Sequence, residues 1–203
     1  MSAAATLIPP HDALREDHLV MLRGVSWTDY QHIQSVRGEH SAPRITYLRG
    51  QLQLMSPSRT HESIKSILGR LVEVYCAEHG IEFSTYGSWT LGDEALERGV
   101  EPDECYVFGH VEQPARPDLA IEVVLTSGGI DKLEVYRGLG VGEVWFWRRG
   151  EITAYVLREG GYAQVPRSEV LPSIDLGTLA SCITPGTTSE AIRRYHAALT
   201  DEA

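Results

Sequence analysis

Hydrophobic positions follow a helical spacing most clearly between about Thr60 and Glu78. Apolar side chains recur there at intervals of three and four residues, and Gly80 follows as a stop signal. The pattern predicts an amphipathic helix. A shorter helix is predicted to begin at Ser26, where a capping residue is followed by an acidic residue three positions later. Further helices are predicted over 130–139 and 189–199.

Alternation of polar and apolar residues predicts strands. Two hairpins are predicted around Arg49-Gly50 and Arg149-Gly150, with apolar strand residues on both sides of each turn. Two apolar runs rich in β-branched and aromatic residues follow Pro102-Asp103 and Pro117-Asp118, which is how a chain enters a buried strand from a turn. Weaker patterns predict strands over 81–91 and 162–165, a loop over 92–99 and loop-like chain over 171–183.

Together these elements predict one α/β (α+β) domain with a central mixed β-sheet flanked by helices. The helix over 60–78 is expected to pack on one face of the sheet. The 203 residues are enough for one well-buried domain and too few to make two expected. Residues 1–25, with two adjacent prolines and mixed charges, are predicted to be a poorly ordered lead-in. The domain is therefore expected over 26–203.

Composition places the chain among ordinary globular proteins. Hydrophobic residues make up 42% and charged residues 23%, and no apolar run approaches the roughly 20 residues that a membrane span needs. The N-terminal stretch lacks the basic residues and the long apolar core of a signal peptide, so a cytoplasmic location is expected. Cys76, Cys105 and Cys182 are far apart and in no metal-binding spacing, which predicts buried thiols.

The net charge of −10 argues against non-specific binding of nucleic acids. Non-specific affinity for DNA comes mainly from basic groups that replace counterions on the phosphates. A metal bound to a carboxylate cluster would offset part of the acidity, and the scattered arginines could still line one groove. The charge therefore restricts how a nucleic acid could be bound without excluding it.

One carboxylate stands out within the predicted strand 119–125. Glu122 lies in the middle of an otherwise apolar run, and an unpaired buried carboxylate is costly. It should therefore be neutralised, paired with a cation or bound to a metal ion. The metal alternative fits best if Asp103, at the entrance of the preceding strand, lies alongside it. Taken alone, Asp103 is more commonly a turn residue after a proline. Asp118 is interpreted first as a loop-capping residue and second as an accessory metal ligand.

Six short motifs follow one another along the chain. They are Met55-Ser56-Pro57, His61-Glu62, Glu101-Pro102-Asp103, Asp118-Leu119-Ala120-Ile121-Glu122-Val123, Asp131-Lys132 and Gly140-Val141-Gly142-Glu143-Val144-Trp145. With this ordered set, the chain from about Tyr47 to about Tyr162 resembles the Uma-type family of putative restriction endonucleases, within the PD-(D/E)xK nuclease superfamily. The resemblance implies a restriction-endonuclease-like fold. It also implies a Mg²⁺-dependent endonuclease that hydrolyses phosphodiester bonds in DNA, with Mn²⁺ as an alternative metal.

The resemblance further implies roles for individual residues. Asp103 and Glu122 would be the metal ligands, since Mg²⁺ prefers carboxylate oxygens and keeps positions open for phosphate. Val124 stands two residues after Glu122, where the superfamily motif has its lysine. Lys132 is the expected substitute, as a group that orients or helps to deprotonate the water and stabilises the developing charge. Glu62 would turn toward the metal, or it is an acidic residue favoured near a helix N-terminus.

Two further expectations concern assembly and activity. The apolar residues 145–147 and 152–157 exceed what one small sheet needs, and two symmetry-related sites would suit cleavage of both DNA strands, so a homodimer is expected. The main alternative is a catalytically inactive, nuclease-like dimeric binding module, which the acidic balance and the displaced lysine favour. Paired carboxylates also occur in glycosidases, but no sugar cleft is evident from the sequence.

Overall fold

The computed structural model describes residues 16–183 and 186–201. In that part of the chain the strands are β1 (His18–Arg23), β2 (Arg44–Leu48), β3 (Gln51–Ser56), β4 (Phe83–Thr85), β5 (Leu91–Asp93), β6 (Arg98–Val100), β7 (Glu104–Phe108), β8 (Leu119–Val123), β9 (Glu143–Arg148), β10 (Glu151–Arg158) and β11 (Gly161–Val165). The helices are α1 (Trp27–Arg37), α2 (Arg59–Glu78), α3 (Lys132–Leu139), α4 (Leu176–Ser181) and α5 (Thr188–Asp201). None of these described helices has both the length and the hydrophobicity needed to cross a membrane.

The strands are divided between two β-sheets. A six-stranded mixed sheet has the order β11-β10-β9-β8-β7-β4, with β8 and β9 parallel and the other neighbours antiparallel. A five-stranded antiparallel sheet has the order β1-β3-β2-β6-β5. The predicted mixed sheet flanked by helices is confirmed, and the second sheet is an addition to the predicted architecture.

Strand β8 lies inside the mixed sheet and is buried on both faces. On one face Ile121 belongs to the same core cluster as Leu71 of α2. On the other face Ala120 packs with Val135 of α3. Side chains alternate along a strand, so Glu122 shares the α3 face with Ala120. The predicted strand therefore carries its carboxylate into the layer between the sheet and α3.

The predicted helix starts and hairpins are confirmed by their local geometry. Ser26 caps α1 and exchanges hydrogen bonds with Asp29 in a capping box. Ser58 caps α2 by accepting a hydrogen bond from the backbone N–H of His61 at 3.1 Å. The two hairpins turn at 49–50 and 149–150, and all four turn residues have positive φ, as one common two-residue hairpin loop requires.

The predicted lead-in over 1–25 is wrong for its last part. His18–Arg23 forms β1, which pairs antiparallel with β3 along its whole length. Five of its six residues are exposed, and the sixth is only partly buried. The strand is held by backbone pairing rather than by burial, so it leaves no alternating pattern in the sequence. Residues 1–15 of the predicted lead-in lie outside the described residues.

Three other segments differ from the predictions. The strand predicted over 81–91 is limited to β4, which joins the mixed sheet, and only its last residue, Leu91, begins β5 of the antiparallel sheet. Part of the loop predicted over 92–99 belongs to a hairpin formed by β5 and β6. The loop-like stretch 171–183 contains α4, which Asp175 caps. Elements of three to six residues are too short for a periodic pattern to distinguish them from loops.

The aromatic residues of β9 contribute to the core rather than to a surplus surface. Trp145 and Trp147 are only 0% and 7% exposed, and both belong to the core cluster that includes α2. The expectation of excess apolar surface on this strand is therefore wrong. Val20, Met21 and Leu22 of β1 are among the exposed apolar side chains of the described residues.

Two glycines of the β5–β6 hairpin test how the antiparallel sheet packs on α1. Gly99 and Gly92 are cross-strand partners, but a Cβ at Gly99 would overlap the hydroxyl of Tyr30, whose buried ring stacks on Tyr47. We expect Gly99→Ala to lower the free energy of unfolding by about 1–3 kcal/mol, the usual cost of overpacking. Gly92→Ala is the matched control, since its Cβ would meet nothing closer than 3.5 Å. Urea denaturation measures both, and equal stabilities would contradict this packing.

Candidate active site

Glu122 lies at the centre of the site, and none of it is exposed. The ammonium of Lys132 donates to Glu122 Oε2 at 2.5 Å, and the hydroxyl of Tyr136 donates to Oε1 at 2.5 Å. Lys132 and Tyr136 are four residues apart and therefore share one face of α3. Of the three alternatives for a buried carboxylate at this position, the described chain provides pairing with a cation.

A glycine turn brings α3 back over the end of β8. Gly128 and Gly129 have φ values of 98° and 111°, which residues with side chains rarely adopt. The backbone N–H of Ile130 donates to Gln53 Oε1 at 2.9 Å, which ties the turn to β3 of the antiparallel sheet. The helix begins at Lys132, directly after this turn. Its ammonium therefore reaches the strand carboxylate from the helix rather than from the strand.

Asp103 lies beside Glu122 across the β7–β8 pairing. The backbone N–H of Asp103 donates to the carbonyl of Ile121 at 3.2 Å, and its Oδ2 accepts from the backbone N–H of Val123 at 2.6 Å. These two bonds lie on either side of Glu122 along the strand. Arg44 of β2 pairs with Oδ1 of Asp103, which is also completely buried. Two carboxylates are thus held next to each other inside the protein.

Glu62 reaches this cluster through Arg44. The guanidinium of Arg44 pairs with Asp103 through one nitrogen and with Glu62 through the other, the latter at 3.0 Å. Arg44 is only 4% exposed, whereas the Glu62 side chain is 44% exposed. Glu62 also pairs with Lys65 at 3.2 Å. It therefore lies at the solvent edge of the site, one arginine away from Asp103.

His61 connects Asp103 to Asp17, the residue just before β1. Nδ1 of the buried imidazole lies 2.9 Å from Asp17 Oδ2, and Nε2 lies 3.1 Å from Asp103 Oδ2. The second contact is close but poorly aligned for a hydrogen bond, and it is therefore mainly ionic. Asp17 also accepts from the backbone N–H of Ser58 at 2.8 Å. The imidazole thus links two carboxylates from distant parts of the chain.

The pKa values of the two central carboxylates are shifted in opposite directions. Burial alone would raise the pKa of Asp103, but the charge of Arg44 and the contact with His61 outweigh burial and lower it. Burial dominates at Glu122, where the charge of Lys132 opposes it and the charge of Asp103 adds to it, so its pKa is raised. Asp103 is therefore a permanent anion near neutral pH, and Glu122 is the member of the pair that takes a proton more readily.

The third cation of the cluster is the imidazole. Burial works against a charge on His61, yet the carboxylates of Asp103 and Asp17 at its two nitrogens raise its pKa to about 9. His61 is therefore protonated at neutral pH. Together with Arg44 and Lys132 it compensates the buried negative charge without any group from outside the chain.

The donor set nevertheless fits a divalent cation that prefers oxygen ligands. Asp103 and Glu122 present carboxylate oxygens, which can each accept more than one bond. No group of three or more His, Cys, Asp or Glu among the described residues could hold a metal ion by itself. A cation at this pair would complete its coordination with water and phosphate, as Mg²⁺ commonly does. It would share the carboxylate oxygens with Arg44 and Lys132.

The sequence did not predict that Asp17, Arg44 and Tyr136 belong to the site, or that His61 links two of its carboxylates. They lie on elements that only the fold brings together. The scarcity of lysine is a sequence signal that points to Lys132, because only Lys65 and Lys132 among the 18 lysine and arginine residues are lysines. A lysine in such an arginine-rich chain suits a role that arginine fills poorly.

Asp118 lies apart from these contacts and caps the loop before β8, accepting from the backbone N–H of Phe108 at 2.9 Å.

Comparison with known proteins places residues 27–182 in the Uma2 family, described as "Putative restriction endonuclease". No curated protein matches the chain. Among solved structures, the chain is similar to a crystal structure described as a putative nuclease belonging to DUF820 from Anabaena variabilis ATCC 29413. The two are 12% identical with a TM-score of 0.47, over 80% of this chain and 97% of that one. The family match covers every residue of the site except Asp17.

The protonated imidazole predicts a pH dependence of stability. The pKa of His61 is raised to about 9 from about 6.5 in the unfolded chain, so its stabilising effect is complete below pH 6.5 and is lost as the pH rises toward 9. Between pH 6.5 and 8, wild-type stability should fall more steeply than that of His61→Gln, by up to about 1.4 kcal/mol per pH unit. Urea denaturation in metal-free buffer measures both slopes.

The control for this comparison is His110→Gln, which removes an exposed imidazole. Its slope should match that of the wild type. Identical slopes for the wild type and His61→Gln would show that the buried imidazole is not charged at neutral pH.

Proposed function

The chain belongs to the Uma2 family, and we propose that it is a metal-dependent endonuclease that hydrolyses phosphodiester bonds in DNA. One observation carries the proposal. Asp103, the residue just before β7, and Glu122 of β8 are buried carboxylates held side by side, and the ammonium of Lys132 is 2.5 Å from Glu122. Paired carboxylates and a lysine suit metal-assisted hydrolysis of a phosphodiester. The description of the family supports DNA as the substrate.

In this proposal Asp103 and Glu122 hold the metal, Mg²⁺ or alternatively Mn²⁺. When bound, the ion supplies positive charge that stabilises the charge developing on the phosphate and lowers the pKa of water. Asp103, with its lowered pKa, offers a permanent anion. Glu122, with its raised pKa, must lose any proton before it can act as a ligand, so metal affinity should weaken as the pH falls.

Lys132 is the group proposed to act on water and phosphate. Without substrate its ammonium pairs with Glu122, and an incoming phosphate offers it a second anion. From there it would orient or help deprotonate the attacking water and stabilise the developing charge. Tyr136 holds the other oxygen of Glu122, which keeps the carboxylate in place when the lysine moves. Glu62, whose side chain is half-exposed and paired with Arg44, would orient water at the solvent edge.

The alternative is a catalytically inactive, nuclease-like binding module. The observation that favours it is that chain donors already engage all the oxygens of Asp103 and Glu122 and that both side chains are closed to solvent. The net charge of −10 points the same way. The two functions differ in one measurable property, which is hydrolysis of DNA that depends on a divalent metal.

Replacement of the lysine tests the proposed chemistry. Lys132→Ala should lower the rate of metal-dependent DNA cleavage by roughly two orders of magnitude or more. Metal affinity should change little, because loss of the competing ammonium favours the ion while loss of the charge that lowers the pKa of Glu122 opposes it. Lys132→Arg should not restore the rate well, since a guanidinium keeps the charge but does not give up its proton. Arg70→Ala is the control, because it removes one positive charge from the exposed side of α2. Cleavage is followed on plasmid and oligonucleotide DNA with Mg²⁺ and with Mn²⁺.

Two results of this assay count against the proposal. If Lys132→Ala cuts as fast as the wild type, the lysine has no role in the reaction. If the wild type cuts no DNA with either metal, the hypothesis of a catalytically inactive binding module is favoured.

We also propose that the protein is a homodimer, because two symmetry-related sites suit cleavage of two strands. The exposed apolar residues of the edge strand β1 support pairing there, at Val20, Met21 and Leu22. Sedimentation at micromolar concentration should show a dimer, and Val20→Lys should shift it toward monomer. Val36→Lys is the control, since Val36 is 73% exposed on α1. A wild type that sediments only as monomer would contradict the dimer.

A further inference from the structure

A cleft of about 420 Å³ opens beside Lys132. It lies between the ends of β8 and β9 on one side and β1 with β3 on the other. Residues that line it include Leu19, Gln53, Val124, Phe146, Arg148 and Tyr155. Small-ligand sites commonly have volumes of about 300–1,000 Å³, so the cleft has the size for a mononucleotide rather than for a duplex.

The floor of the cleft is the sheet face that carries Glu122. In the strand register Glu122 lies opposite Phe146 of β9, and Phe146 lies opposite Thr153 of β10. Neighbouring strands are about 4.8 Å apart, so the phenyl ring is one strand away from the buried carboxylate. Tyr155 meets this ring edge-on, with centroids 5.8 Å apart and an angle of 84° between the planes. The two rings form an aromatic corner in the lining of the cleft.

Two cations and two carboxylates line the same cleft; of the carboxylates, Asp17 is paired with His61 and Asp131 caps α3. Lys132 lies at the boundary between the cleft and the buried carboxylates. Arg148 is exposed, and no acidic side chain within residues 16–183 and 186–201 forms an ion pair with it. Its guanidinium therefore has its donors available for an anion from solution. Guanidinium groups bind phosphate through paired hydrogen bonds.

The charge of the whole chain restricts what a nucleic acid can gain here. A long duplex would have to be held by many phosphate contacts, and a chain with a net charge of −10 offers few cations for a continuous track. Stacking of a base on an aromatic ring gives affinity that does not depend on such a track. A base inside a duplex is already stacked and paired, so only an unpaired base can enter an aromatic corner.

We propose that this cleft binds one unpaired nucleotide of a DNA substrate, next to the phosphate to be cleaved. The base stacks in the corner of Phe146 and Tyr155, and Arg148 binds a neighbouring phosphate. Lys132 then faces the phosphate between the nucleotide and the buried carboxylates. This inference rests on the proposed function and specifies its substrate as single-stranded or locally unpaired DNA.

The test is equilibrium binding in EDTA, where metal-dependent cleavage cannot interfere. Fluorescence anisotropy compares a short labelled single strand with the same sequence in a duplex. The wild type should bind the single strand about tenfold more tightly, and Tyr155→Leu should weaken that binding by about tenfold. Arg148→Gln should weaken it severalfold. Arg149→Gln is the matched control, because it removes the adjacent exposed arginine, which does not line the cleft, and should leave affinity unchanged.

Each outcome separates this inference from the nuclease activity. Equal or tighter binding of duplex, or equal effects of Arg148→Gln and Arg149→Gln, overturns the nucleotide cleft even if the protein cuts duplex DNA. Preference for the single strand with loss in the two cleft variants supports it, even if no metal produces cleavage. Thermal unfolding of Tyr155→Leu shows whether it folds, and Arg148→Gln, an exposed position, tests the cleft independently.

Discussion

The burial of two carboxylates side by side is the constraint on which the rest of the structure depends. Asp103, just before β7, and Glu122, in the neighbouring strand β8, are buried, and like charges held together in a dry interior repel each other. Three cations compensate them, and each comes from a different element: Arg44 from β2, His61 from α2 and Lys132 from α3. Both sheets and two helices therefore meet at one electrostatic cluster. The need to compensate the buried carboxylates also explains why Lys132 lies in the first turn of α3, where a cation is normally disfavoured.

Another buried carboxylate of the mixed sheet, Glu143, is stabilised by a different kind of hydrogen-bond donor. Glu143 is 1% exposed and accepts hydrogen bonds from the indole of Trp145 at 2.5 Å and from the backbone N–H groups of Glu169 and Val170 at 2.8 and 3.1 Å. Those donors are a buried ring and the backbone, which are fixed parts of the scaffold. Glu122 is held by the ends of two side chains, one of which borders a cleft. A carboxylate paired with a movable cation can exchange it for another cation, and that difference is the physical reason to assign chemistry to Glu122.

Local signals in the sequence predicted the elements that local contacts determine. The capping box at Ser26 and the apolar face of α2 depend on residues three and four positions apart, and both are confirmed. Strand β1 and the division of 81–91 between two sheets depend on partner strands elsewhere in the chain, so no local pattern records them. The closeness of Asp103 and Glu122 was predictable because Asp103 directly precedes β7, and β7 and β8 are consecutive strands. Arg44 was not, because its partner Asp103 is 59 residues away and the pair forms only when the two sheets meet.

The most direct measurement of the central claim is calorimetric titration of the metal-free protein with Mg²⁺ and Mn²⁺. If the buried pair is a metal site, the wild type binds one ion, and Asp103→Asn and Glu122→Gln each weaken binding by roughly tenfold or more. Asp118→Asn, which removes an exposed carboxylate from the loop before the same strand, should bind as the wild type does. Equal binding by the wild type and both site variants, or no binding by the wild type, would contradict the account.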